Sequence, residues 1–126
     1  MTITFENIVR SNSLINLTPH PINCLVGAEE EEIVLSSSGI VRADVGETVE
    51  VFPGIWEEGS FERPELPEPA EGKFFLVSLA VASAMKQHGI HREDVMVGGT
   101  GPKDNPRRHP EKKFVTGIRL IKWANR

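Results

Sequence analysis

At 126 residues, with 39% hydrophobic and 25% charged side chains, the chain is sized and composed for one soluble globular domain. Cys24 is the only cysteine, which excludes an internal disulfide framework, and no apolar run approaches the roughly 18 residues of a membrane span. The net charge of −4 conceals a split: residues 1–72 hold 14 acids against 3 bases, and residues 73–126 hold 4 against 11.

A domain of this size buries roughly two-thirds of its unfolded surface, enough for one core without covalent staples. The opening stretch MTITFENIVRSNSLINL has no long apolar segment behind a basic start. With the lone cysteine, that predicts a cytoplasmic protein. The bipolar charge points to acidic hairpins folded against a basic end, to self-association, or to a small anionic ligand. Two separately solvated faces are the plainer alternative.

Residues 1–13 mix polar and apolar side chains, break at Ser11-Asn12-Ser13, and predict an arm or short edge strand. Residues 14–17 are strand-like and stop at Thr18-Pro19-His20-Pro21, where two prolines hold the chain extended around His20. A second strand spans 22–26, and the four acids at 29–32 predict a solvated hairpin turn. Strands follow at 33–35, 40–45 and 48–52, the last with period-2 alternation. Residues 53–72, rich in Pro, Glu and Gly, read as a long acidic loop anchored by Trp56 and Phe61.

Residues 73–77 form a continuous apolar run of buried-strand character. Small helix formers then predict one main buried helix over about 78–88, with Ser78 as N-cap and Gly89 at the C′ position. Leu79, Ala82 and Met85 make its apolar stripe. A strand at 94–97 completes a β-α-β unit, a basic glycine-rich loop occupies 98–113, and 114–123 closes the fold as a strand. A bulge is expected at Gly117. The fold class is α+β: a mixed, mostly antiparallel sheet of about five to seven strands with one main helix.

Candidate chemistry gathers in two places. Gly98-Gly99-Thr100-Gly101-Pro102-Lys103 combines flexible backbone, a hydroxyl and an ammonium, and glycines let amides approach an anion closely. It lacks Walker spacing, so a plain connection between strands competes with that reading. Lys103, Arg107, Arg108, Lys112 and Lys113 put five positive charges within eleven residues, and Arg is suited to bidentate phosphate contact. His20, beside Thr18, is the best-placed histidine for hydrogen bonding or general-base work. His88-x2-His91 is a poor metal pattern with a glycine between its members, and no metal or cofactor is expected. Cys24 reads as a small core residue. Few aromatics and an acidic half make nucleic acid a poor partner.

The Asn16-Leu17-Thr18-Pro19-His20 segment, a serine-rich turn into Gly39, and Leu66-Pro67-Glu68-Pro69 form one set of landmarks. Phe75-Leu76-Val77-Ser78 with alanines behind it, Asp94-Val95 and Thr100-Gly101-Pro102 form another. Together they resemble a family of short phage- and prophage-encoded proteins with no assigned activity. The chain departs from the family pattern at Ser36–Ser38, where a proline usually precedes the Ser-Gly, and at Gly98-Gly99, where a proline usually precedes the loop threonine. The resemblance implies a phage-related role inside the host cytoplasm.

These readings converge on a non-catalytic binding module for a small anionic, nucleotide-like ligand. Thr18 and His20 form one wall, Ser78 supplies a helix N-terminus, and Thr100, Lys103, Arg107 and Arg108 close over the ligand. The alternatives are a homo-oligomeric interaction protein that pairs acidic hairpins with the basic loop, and a small enzyme with His20 as general base.

Overall fold

A computed structural model describes residues 3–126. Its first element is a correction: residues 5–10 are helical, not an arm or edge strand. Helix α1 (Phe5–Arg10) starts at Thr4, whose Oγ1 accepts from the Asn7 amide at 3.0 Å. Glu6 and Arg10 sit at the ends that suit the helix dipole, while Ile8 and Val9 are buried. Tertiary burial stabilises a helix this short, which propensity alone would not. Residues 1 and 2 of the expected arm lie outside the described residues.

Four strands make the main sheet: β1 (Leu14–Asn16), β6 (Phe74–Leu76), β7 (Arg92–Gly98) and β10 (Ile121–Asn125), adjacent in that order. β1–β6 and β6–β7 are parallel, and β7–β10 is antiparallel. Helix α2 (Leu79–Gln87) connects β6 to β7, as the sequence predicts. The Ser78 hydroxyl accepts from the Val81 amide at 3.3 Å, and Gly89 takes the left-handed conformation past the helix end. Along β7, Val95 and Val97 join α2 and Ala124 in one apolar cluster, while Met96 joins Leu76, Leu14 and Cys24 in another. Alternate residues feed opposite faces, so the strand reads as an unbroken apolar run because both faces are covered.

The remaining strands pair antiparallel in twos: β2 (Ile22–Val26) with β3 (Glu31–Leu35), β4 (Val49–Phe52) with β5 (Ile55–Glu57), and β8 (Arg107–Arg108) with β9 (Val115–Gly117). The class is α+β with mostly antiparallel strands. No helix among the described residues is long and apolar enough to cross a membrane. Cys24 is fully buried in β2, and desolvation pushes its thiol up to about 12.

Several loop readings change. Residues 40–45 contain no strand beyond a single bridge between Val45 and Phe61. The expected 53–72 loop contains β5, turned back on β4 at Gly54 with φ +76°. Trp56 is no anchor, for it stands 59% exposed. The closing strand splits because Ile118 leaves to pair with β2: its amide donates to Asn23 O, and its carbonyl accepts from the Leu25 amide, both at 2.9 Å. Gly117 permits that crossing, since a Cβ there would lie 3.3 Å from Leu25 Cδ1.

The acidic run is also not simply solvated. Glu30 pairs with Arg119 at 3.0 Å, Glu31 with Arg10, and Glu32 with Arg107 at 3.0 Å. Such exposed pairs each stabilise by at most about 1 kcal/mol. Their consequence is for function, because Glu32 occupies Arg107, which the sequence reading leaves free for a ligand.

Candidate functional site

Three parallel strands, β1, β6 and β7, end at the same side of the sheet, and the chain beyond each end carries a hydroxyl residue. Thr18 lies two residues past Asn16, Ser78 two past Leu76, and Thr100 two past Gly98. Asn16 is in register with Leu76, so Thr18 and Ser78 leave neighbouring strands at one level. Ligands of open α/β sheets bind outside such carboxyl ends. Here all three residues line a cleft of about 600 Å³, within the usual range for a small-molecule site.

Its floor is Leu76, Val77, Val97 and Gly98, one wall is the turn from Thr18 to Asn23, and the other runs from Phe114 to Ile118. Leu79 and Phe114 form apolar lips, 60% and 54% exposed. No Asp, Glu, Lys or Arg lines the cleft. The site is apolar with hydroxyl and amide groups around it.

The Thr18 wall is held by Asn16, 1% exposed. Asn16 Nδ2 donates to His20 O at 2.8 Å and to Leu35 O at 2.9 Å, while its Oδ1 accepts from the Thr18 amide at 2.9 Å and the Thr18 hydroxyl at 2.6 Å. Ser37 Oγ donates to Thr18 O at 2.7 Å. The Asn-Leu-Thr-Pro-His segment is thus a side-chain-organised turn anchored to Leu35 and Ser37. The Thr18 hydroxyl serves that turn, while the exposed His20 lines the cleft and its ring has no hydrogen-bond partner among the described residues. A general base is usually oriented by a third group, and no carboxylate does so for His20 there.

The basic residues are placed differently from the expectation. Lys103, Arg107 and Arg108 do not line the cleft. Lys103 is exposed in a 3-10 turn at Pro102–Asp104. Arg107 is engaged internally, with Nη1 on Glu32, Nε on Thr116 Oγ1 and Nη2 on Thr116 O, at 3.0, 3.0 and 3.1 Å. Arg108 stays at the rim: its Nη2 donates to the carbonyl of cleft-lining Thr100 at 2.9 Å, and its Nη1 to Lys113 O at 3.0 Å. No carboxylate among the described residues neutralises it. His109 stacks on Phe114 with ring centroids 5.0 Å apart. His88 and His91 hydrogen-bond to the carbonyls of Phe61 and Arg126.

The glycine loop does not cradle an anion through its glycines as the sequence suggests. The Gly99 amide donates to Leu120 O at 2.9 Å, and a Cβ on Gly99 would lie 2.2 Å from Leu120 Cδ1. Gly99 is there for close packing. The Gly101 amide donates to Asp104 Oδ2 at 2.9 Å, so the chain's own carboxylate meets it. Lys122 Nζ holds the other oxygen of Asp104 at 2.7 Å, tying the loop to β10.

The Lys122 ammonium and then the Gly101 amide hold the Asp104 carboxyl below its ordinary value of 3.8, against the opposing effect of desolvation. A depressed folded value contributes stability above the unfolded pKa, and that contribution is lost as pH falls through the folded value. Asp104→Asn is therefore expected to lower the urea midpoint at pH 7 and to differ less from wild type near pH 3. An equal gap at both pH values would show that the ionised carboxylate contributes nothing.

Sequence reading misses Asn23, Leu79, Phe114, Thr116 and Gly117 as lining residues. The available signal was Phe114, a large apolar residue directly after two lysines. No family model, curated protein or solved structure matches the chain in comparison with known proteins.

Proposed function

We propose that the chain is a non-catalytic binding module for a small anionic, nucleotide-like molecule held in the cleft at the ends of β1, β6 and β7. One observation carries the reading: Thr18, His20, Ser78 and Thr100, widely separated in sequence, border a single apolar cleft that has no charged lining. An apolar floor between two lips suits a flat ring system. The anionic end of the ligand belongs at the mouth, between the α2 N-terminus and Arg108. The first turn of a helix carries amides that the helix itself cannot use, at the positive end of its dipole. Arg108 adds a charge that no carboxylate compensates, with guanidinium donors to spare. Arg107 and Lys103 have no place in this version of the site. Sequestration of a host signalling nucleotide, as a phage protein would perform it, rests on the family resemblance alone.

Native mass spectrometry of gently purified protein, with calorimetric titration of nucleoside monophosphates and the matching nucleosides, tests the reading. The expected result is an adduct or saturable binding, with monophosphates ahead of nucleosides by about tenfold and Arg108→Ala removing that advantage. A clean mass with no saturable binding across the panel overturns it.

A further inference from the structure

The β4–β5 hairpin is the least explained part of the molecule. Val49, Val51, Phe52, Ile55 and Trp56 are all exposed, Phe52 at 66%. Its two strands pair with each other and with no other strand. An isolated two-stranded hairpin is marginal in water, and its register places Val49, Phe52 and Ile55 on one exposed face, with Trp56 and Glu50 on the other. Only its stem is attached: the Phe61 amide donates to Gln87 Oε1 at 3.1 Å, and His88 Nε2 donates to Phe61 O at 2.7 Å.

Charge narrows the choice of occupant. Residues 46–62 contain Glu47, Glu50, Glu57, Glu58 and Glu62 and no Lys or Arg. None of these acids has an ion-pair partner among the described residues. Two such hairpins repel one another, and an anionic lipid surface repels each of them. The complementary surface is on this same chain. Beside the lip residue Phe114 stand Lys112 and Lys113, which precede it in the chain, and Arg108, which donates to Lys113 O; all three likewise have no carboxylate partner among the described residues. The hairpin does not cover its own cleft: its stem is attached at the C-terminal end of α2, and the cleft opens at the N-terminal end. Nine helical residues, about 14 Å, separate them.

We infer that the chain self-associates head to tail, with the acidic, apolar hairpin of one copy seated on the basic-rimmed mouth of the cleft of another. The face that carries Val49, Phe52 and Ile55 covers Leu79 and Phe114, while Glu57 on that same face meets the rim of Arg108, Lys112 and Lys113. A contact between two different surfaces closes when two copies exchange hairpins, or propagates if they do not. A seated hairpin and the anionic end of a ligand would compete for Arg108, so the assembly is read on ligand-free protein.

Sedimentation of the full chain, from micromolar to near-millimolar concentration at low and high salt, reads the assembly directly. Wild type is expected to associate, and more weakly by about tenfold in high salt. Phe52→Glu is expected to weaken association by about 30-fold or more, and Lys112→Glu/Lys113→Glu by about tenfold, with circular dichroism confirming that both variants fold. Mixing decides the geometry. The first variant retains an intact mouth and the second an intact hairpin, so together they re-form a complex at concentrations where each alone is monomeric. A monomeric wild type, an undiminished Phe52→Glu, or a mixture that fails to associate overturns the proposal.

Discussion

Replacing Asn16 with alanine is expected to lower the unfolding free energy by about 3–5 kcal/mol, the largest loss foreseen for any polar side chain here. The substitution removes four hydrogen bonds and leaves the Leu35 carbonyl and the Thr18 amide without their partners in a buried region. Each orphaned buried group costs about 1–3 kcal/mol, while the Thr18 hydroxyl can still donate to His20 O at 3.0 Å. The backbone bond from the Ser38 amide to Asn16 O, 2.8 Å, survives the substitution. Ser37→Ala provides the scale, since it removes one hydrogen bond to Thr18 O and should cost about 1 kcal/mol. Denaturant unfolding of both variants checks the ranking. An Asn16→Ala loss no larger than that of Ser37→Ala would mean that the two prolines alone hold the turn.

Leu79→Glu is expected to act oppositely, sparing the fold and abolishing ligand binding. Leu79 is the first residue of α2 and projects largely into solvent, so little core packing is lost. A carboxylate in the first turn interacts favourably with the helix dipole, by about 0.3–1 kcal/mol. At the cleft it removes an apolar lip and places a negative charge where the ligand anion is proposed to lie. Binding of a nucleoside monophosphate should fall by about 100-fold or more while thermal stability stays level or rises. Calorimetric titration beside thermal unfolding separates the two effects. Unchanged affinity with unchanged stability would remove the ligand from this mouth.

The parts of the molecule that were legible in the sequence are those written in neighbouring residues. Ser78, the alanine-rich run and Gly89 specify α2 at both ends, and the apolar stretch around Val95 announces a strand covered on both faces. The Thr-Pro-His turn was recognisable as a break, but its organiser was not. Asn16 acts through Leu35, which no local pattern links to it. The anion-binding reading of the glycine loop failed for a similar reason, because an acid three residues beyond Gly101 satisfies its amide. Charge counting located Arg107 and Arg108 together, yet Glu32, far along the chain, claims only Arg107. The helix at residues 5–10 escaped because a single turn and a half carries little periodicity, and its stability comes from the core beneath Ile8 and Val9.

The strand order has a kinetic consequence. β6, α2 and β7 are consecutive and can assemble with short loop closures, whereas Leu14 reaches its partner Phe74 only after about sixty intervening residues are gathered in. Closing so long an excursion is an entropic barrier that a chain crosses after its local contacts have formed. The wall from Thr18 to Asn23 belongs with that step, so the cleft is expected to form late in folding and to open early in unfolding. A molecule lodged there fastens the final seam, and its main effect on the protein's lifetime is to slow unfolding rather than to hasten folding.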